Sequence, residues 1–75
     1  SAHINERTKD NMDIILAFAF LKTGQTRKAK DIFEEYASAN KPITLKKIDK
    51  AFGSAIDTKF KKSVLGEMAA YASPE

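Results

Sequence analysis

Apolar residues recur at helical spacing in four segments of this chain. In each segment they fall close to positions i, i+3, i+4 and i+7, which is the stripe of an amphipathic helix lying on a core. No segment shows the period-two alternation of β-branched and aromatic residues that is typical of a half-buried strand. The pattern predicts an all-α fold, a compact four-helix, bundle-like single domain with short loops at residues 10–75, after a flexible arm at residues 1–9.

Residues that favour helix N-termini open each segment. The predicted capping residues are Asp10 or Asn11, then Thr26, then Thr44, then Asp57 or Thr58. The first helix is predicted to run to Lys22, before Thr23 and Gly24 stop it. The second is predicted to end within residues 39–42, where Asn40 tolerates a left-handed conformation. The third is predicted to extend to Ile56 and the fourth to Tyr71 or Ala72.

The first helix does not have a single apolar face. Residues 14–21 are apolar on every side, so this helix is either central or keeps one face for a partner. We assign Ile15, Leu16 and Phe20 to the core. The full predicted core is Ile15, Leu16, Phe20, Ile32, Phe33, Leu45, Ile48, Phe52, Phe60, Leu65 and Met68.

Composition excludes several classes of function. The 75 residues include no cysteine, so disulfides and thiolate metal sites are excluded. The longest apolar run has eight residues, too few to span a membrane. His3 stands alone, and Glu34 and Glu35 are adjacent, so they point about 100° apart on a helix and cannot flank one reacting bond. We expect no enzyme activity, catalytic residue, metal or cofactor, and an intracellular protein, cytoplasmic or nuclear, because no targeting segment precedes the apolar run.

Positive charge is concentrated in the middle of the chain. The net charge is +3, but residues 22–62 contain eleven basic and five acidic residues. Many of the basic residues fall in the first turns of the second, third and fourth helices, where they oppose the helix dipole but favour a bound anion. The predicted nucleic-acid contacts are Arg27, Lys28, Lys30, Lys46, Lys47, Lys59, Lys61 and Lys62.

The third and fourth helices have the order of a helix-turn-helix, with Gly53 in the turn. This interpretation requires the third helix to end near Phe52 rather than near Ile56. The fourth helix would present Thr58, Lys59, Lys61, Lys62 and Ser63. It offers no Asn, Gln or Arg to base edges, so contacts would be mostly to phosphates. Nucleic-acid binding is therefore the leading prediction.

The alternative prediction is a protein-interaction or dimerisation domain that uses a second apolar face of the first helix. Its predicted interface residues are Ile14, Phe18 and Leu21. The first two helices also resemble one tetratricopeptide hairpin, through Leu16, Ala17, Phe20, Gly24, Ala29 and Phe33. The resemblance would imply a peptide- or protein-binding module, although Tyr36 and Pro42 depart from the pattern and only one copy is present.

Overall fold

A computed structural model describes residues 5–73 as four α-helices joined by short connections. The helices are α1 (Glu6–Lys22), α2 (Thr26–Ser38), α3 (Leu45–Phe52) and α4 (Thr58–Glu67). Within these residues the extended structure is limited to one bridge between Thr44 and Ser73, where the Ser73 N–H donates to the Ile43 carbonyl at 3.0 Å. The all-α prediction is confirmed. None of the helices among residues 5–73 is long and apolar enough to cross a membrane.

The first helix begins earlier than predicted. Asn5 is the capping residue, and its side-chain oxygen accepts a hydrogen bond from the Thr8 N–H at 2.8 Å. Residues 6–9 are therefore helical, and their assignment to an arm was wrong, because a polar first turn with a good cap forms a helix without an apolar stripe. Residues 1–4, which include His3, lie outside the described part of the chain.

Two of the remaining N-termini follow the predicted caps. The Thr44 hydroxyl accepts from the Lys47 N–H at 3.1 Å, and the Asp57 carboxylate accepts from the Lys59 N–H at 3.3 Å. Thr26 does not cap α2; it is the first helical residue, after Gln25, which makes no side-chain cap. Asn40 adopts a positive φ of 61° after α2, as predicted from its tolerance of that conformation.

Two helices end before their predicted positions. The third ends at Phe52 rather than near Ile56, because Gly53 takes a φ of 59° that few other residues adopt without strain. The fourth ends at Glu67, and residues 68–71 form turns that lead to the bridge at Ser73. The end of α3 at Phe52 meets the requirement of the helix-turn-helix interpretation.

The core forms around α1, and Phe18 is its central aromatic side chain. The Phe18 ring lies 4.9 Å from the Phe52 ring of α3 and 5.7 Å from the Phe60 ring of α4, measured between centroids. Among residues 5–73 the buried apolar side chains are Ile14, Ala17, Phe18, Ala29, Phe33, Tyr36, Ile43, Ile48, Val64 and Met68. Of the predicted core, Phe33, Ile48 and Met68 are buried, and Phe20, Ile32, Leu45, Phe52, Phe60 and Leu65 are half-buried.

The face of α1 that was assigned to the core is the exposed one. Met12, Ile15 and Leu16 are 53%, 44% and 46% exposed, whereas Ile14 and Phe18 are buried and Leu21 packs half-buried against the core. The placement of Ile15 and Leu16 in the core was wrong. The interface assigned to Ile14, Phe18 and Leu21 is also wrong in this structure, because α2, α3 and α4 already cover those side chains.

Candidate functional site

Positively charged side chains gather where α1 ends and where α2 and α4 begin. We call Lys22, Arg27, Lys28 and Lys59, together with Lys62 one turn further along α4, the basic end. Lys62 also lines a groove with Leu45 of α3. The Lys22 ammonium lies 4.3 Å from the centroid of the Phe60 ring in α4, and the Lys28 ammonium lies 5.5 Å from that of Phe20 in α1. These contacts place the three helix termini at the same end of the molecule.

All five side chains of the basic end are exposed, and no ion pair within residues 5–73 involves any of them. The neighbouring acids are Asp31 on α2 and Asp57, whose carboxylate caps α4. The N-termini of α2 and α4 add partial positive charge, because their first N–H groups have no helical acceptors. The basic end is therefore a region where an anion meets cations and helix dipoles together.

The outward side of α4 carries part of this charge. Thr58, Lys59, Lys62 and Ser63 are exposed, as the sequence predicted, and the turn at residues 53–57 leads into them. Phe18 holds α3 and α4 together from the other side through its two ring contacts. Phe18 therefore packs α1 against both helices.

Lys61 does not belong to the exposed set. It is 3% exposed, and its ammonium donates to the Asp49 carboxylate at 2.9 Å and to the Gly53 carbonyl at 2.8 Å. Its assignment as a nucleic-acid contact was wrong. Lys61 shares the inward stripe of Val64, Leu65 and Met68 at i+3, i+4 and i+7, which is the signal in the sequence that indicates its burial.

The basic residues of α3 lie at the opposite end of α1. The Lys41 ammonium, just before α3, is 3.0 Å from Glu6 at the start of α1, and the half-buried Lys47 donates to the Lys41 carbonyl at 3.3 Å. Since α1 has 17 residues, the two ends are roughly 24 Å apart. Lys46 is exposed there, and Lys30 is exposed on α2 outside the basic end. The predicted contacts thus do not form one continuous surface.

A hydrogen-bonded cluster joins α1 to α2 around Tyr36. The Tyr36 hydroxyl lies 2.5 Å from Oδ2 of Asp13 and 3.0 Å from Oδ1 of Asp10. Burial and these hydrogen bonds raise the pKa of Tyr36 well above its ordinary value of 10.0. Burial raises the pKa of the Asp13 carboxyl, but hydrogen bonds from Lys9 and Tyr36 outweigh it and lower that pKa below 3.8. Every polar group of this cluster has a partner, so its role is to hold the two helices together.

Replacing Tyr36 by phenylalanine removes the hydroxyl and keeps the ring. We expect the free energy of unfolding at neutral pH to fall by about 1–2 kcal/mol, because the hydroxyl bonds to carboxylates. The pKa of the Asp13 carboxyl is lower in the folded protein than its ordinary value of 3.8. Its contribution to the free energy of unfolding is therefore fully present above pH 3.8 and is lost as the pH falls through the folded pKa. The difference between wild type and Tyr36→Phe in urea unfolding should therefore shrink in acid. Tyr71→Phe is the control, and an equal loss there would contradict the role of the cluster.

No group of three His, Cys, Asp or Glu side chains among residues 5–73 stands close enough to hold a metal ion. The carboxylates that do approach one another, Asp10 and Asp13, are engaged by Tyr36, Lys9 and Lys41.

The outer face of α1 is the surface that sequence reasoning missed. Met12, Asp13, Ile15, Leu16 and Ala19 line a shallow groove of about 410 Å³. Both faces of α1 have the same i, i+3, i+4, i+7 spacing, so only the packing of the other helices separates them.

Comparison with protein-family models, with curated proteins and with solved structures finds no match for this chain. The tetratricopeptide resemblance of the first two helices therefore supports no family assignment.

Proposed function

We propose that this domain binds the phosphate backbone of nucleic acid through the basic end. The observation that carries the proposal is the 4.3 Å contact between the Lys22 ammonium and the Phe60 ring, which brings a cation of α1 to the first turn of α4. Lys59 is exposed in that turn, and the exposed Lys62 follows one turn further along α4. A backbone of closely spaced phosphates binds where several cations share one surface.

Helix dipoles support the same surface. The N-terminus of α2 has no side-chain cap, so an anion there is stabilised by unpaired N–H groups as well as by ammonium groups. The N-terminus of α4 is already capped by the Asp57 carboxylate and contributes mainly through Lys59. Lysine near a helix N-terminus is unfavourable in the free protein by roughly 0.3–1 kcal/mol where exposed, and a bound phosphate relieves this repulsion.

The side chains available on α4 imply weak sequence preference. Its outward face offers Thr58, Lys59, Lys62 and Ser63, and none of these makes the bidentate contacts by which Arg, Asn or Gln reads base edges. Phosphate contacts position a protein on a duplex and carry no sequence information directly. We expect similar affinities for unrelated duplexes and a strong dependence on salt.

The test is a titration of labelled duplex DNA and RNA at about 50 mM and about 200 mM salt, read by fluorescence anisotropy. Binding should weaken as salt rises, with a slope of log affinity against log salt of roughly −0.9 for each phosphate contact on duplex DNA. The double variant Lys59→Gln/Lys62→Gln should lower affinity and flatten this slope by up to roughly 1.8.

The matched control removes two cations at the other end of the molecule. Lys46→Gln/Lys50→Gln has the same change in net charge, so it separates a local surface from the overall charge of the protein. The proposal fails if the two double variants weaken binding equally. It fails also if the wild type does not bind at low salt.

A further inference from the structure

The outer face of α1 is an apolar surface without a covering helix. Met12, Ile15 and Leu16 are the large apolar side chains that the described residues leave exposed, and the exposed Ala19 continues their stripe. They lie at i, i+3, i+4 and i+7 on one side of one helix, so they form a continuous strip. Single exposed apolar residues are common on protein surfaces, whereas a contiguous strip marks a binding surface.

The strip has the dimensions of a helix-binding surface. From Met12 to Ala19 it extends about 10 Å, which is two helical turns. The groove of about 410 Å³ along it is shallow and apolar. An amphipathic helix presents side chains at the same i, i+3, i+4 and i+7 spacing, so two such strips can interdigitate along their length.

Charge along one edge of the strip indicates the chemistry of the partner. Arg7 and Lys22 are exposed at the two ends of this edge of α1, and neither forms an ion pair within residues 5–73. Lys50 of α3 lies beside Arg7 in an adjoining groove, whose acids Glu6 and Asp10 are engaged by Lys41. On the opposite edge Lys9 and Asp13 form a pair at 2.8 Å. Glu35 of α2 also lies near Lys9 on that edge. The unbalanced positive charge is therefore confined to the edge with Arg7 and Lys22.

We propose that this strip binds an amphipathic helix with an apolar face and an acidic flank, supplied by another protein. A second copy of this chain fits less well, because its own strip is flanked by the same cations. Three half-exposed side chains and an alanine also fall short of the ~800 Å² per partner that a stable interface buries. The interaction is transient and depends on acidic residues beside the apolar anchors. It shares Lys22 with the basic end, but its tests use Leu16 and Arg7, so either proposal can fail without the other.

The probe for this proposal is a synthetic peptide of about 16 residues, long enough to hold some helix in water. It carries leucine at i, i+3, i+4 and i+7 with glutamate at the flanking positions, and a control peptide carries lysine in place of glutamate. Labelled peptide is titrated with the protein and followed by fluorescence anisotropy. We expect the acidic peptide to bind and the basic peptide to bind at least tenfold more weakly.

Two variants separate the apolar strip from the charged edge. Leu16→Gln should weaken binding of the acidic peptide roughly tenfold, because it removes the centre of the strip without adding charge. Arg7→Gln should weaken it more than Lys46→Gln, an equal change in charge at an exposed site away from the strip. Circular dichroism verifies that each variant is folded, which is expected because these side chains are exposed.

Three results would overturn the proposal. The first is no binding of the acidic peptide by folded wild type at millimolar concentration. The second is equal binding of the acidic and basic peptides. The third is a wild-type dimer in sedimentation that Leu16→Gln converts to a monomer, which would make a second copy the occupant of the strip.

Discussion

Phe18→Ala is expected to lower the free energy of unfolding by about 3–5 kcal/mol. Phe18 is 2% exposed and contacts the rings of Phe52 and Phe60, so its removal opens a cavity at the point where α1, α3 and α4 meet. A domain of this size has a total stability of about 4–11 kcal/mol. The variant should therefore lose from about a quarter to all of this stability and unfold at a clearly lower urea concentration than wild type, as monitored by circular dichroism.

Leu16→Ala is the matched control for Phe18→Ala. Leu16 lies two residues away on the same helix but is 46% exposed, so we expect a change of less than about 1 kcal/mol. If Leu16→Ala destabilises the protein as strongly as Phe18→Ala, then α1 is rotated relative to the structure described above, and the outer strip is part of the core.

Lys61→Ala is expected to cost about 2 kcal/mol in the free energy of unfolding. The change removes the ammonium group that joins Asp49 and Gly53, and it also removes a side-chain stem that is almost fully buried. Breaking a fully buried pair costs more, about 3–5 kcal/mol, but Asp49 is 54% exposed and regains water when its partner is lost.

Lys61→Met separates the two contributions of Lys61. Methionine retains most of the buried stem but donates no hydrogen bond, so it should recover part of the loss seen with alanine. The neighbouring Lys62 is exposed, and Lys62→Ala should change stability by less than about 0.5 kcal/mol. Equal effects of Lys61→Ala and Lys62→Ala in thermal unfolding would show that the Lys61 ammonium does not hold the turn between α3 and α4.

Helix type and number follow from the sequence because propensity, spacing and capping agree at each segment. The Thr44 and Asp57 caps and the left-handed Asn40 are local features, decided by groups within three residues of one another. The end of α3 was missed because Ala55 and Ile56 continue the apolar spacing, while the positive φ at Gly53 breaks the helix.

The orientation of α1 does not follow from the sequence, for a physical reason. Ile14, Ala17, Phe18 and Leu21 form one i, i+3, i+4, i+7 stripe, and Met12, Ile15, Leu16 and Ala19 form another with the same spacing. Hydrophobicity alone does not show which of two equivalent stripes is buried. The packing of Phe18 against Phe52 and Phe60 decides it in the folded protein. The stripe that remains outside is the basis of the proposed helix-binding surface.

The candidate nucleic-acid site was only partly predictable. The lysines were predicted to form one site because each lies near the start of a helix. Position along the chain does not show which helix starts lie together in space. The fold places the starts of α2 and α4 together and the start of α3 at the other end of α1. Lys22 was not among the predicted contacts, because it ends a helix rather than beginning one, and its proximity to Phe60 depends on the tertiary fold.

The most direct test of the proposed function is a map of amide chemical shifts by NMR during titration with a short DNA duplex at low salt. We expect the largest changes at Lys22, Arg27, Lys28, Lys59 and Lys62, the residues of the basic end, and little change at Lys46 and Lys50. The changes should reverse when salt is added. Changes centred on the start of α3, or spread evenly over all exposed lysines, would contradict the assignment of nucleic-acid binding to the basic end.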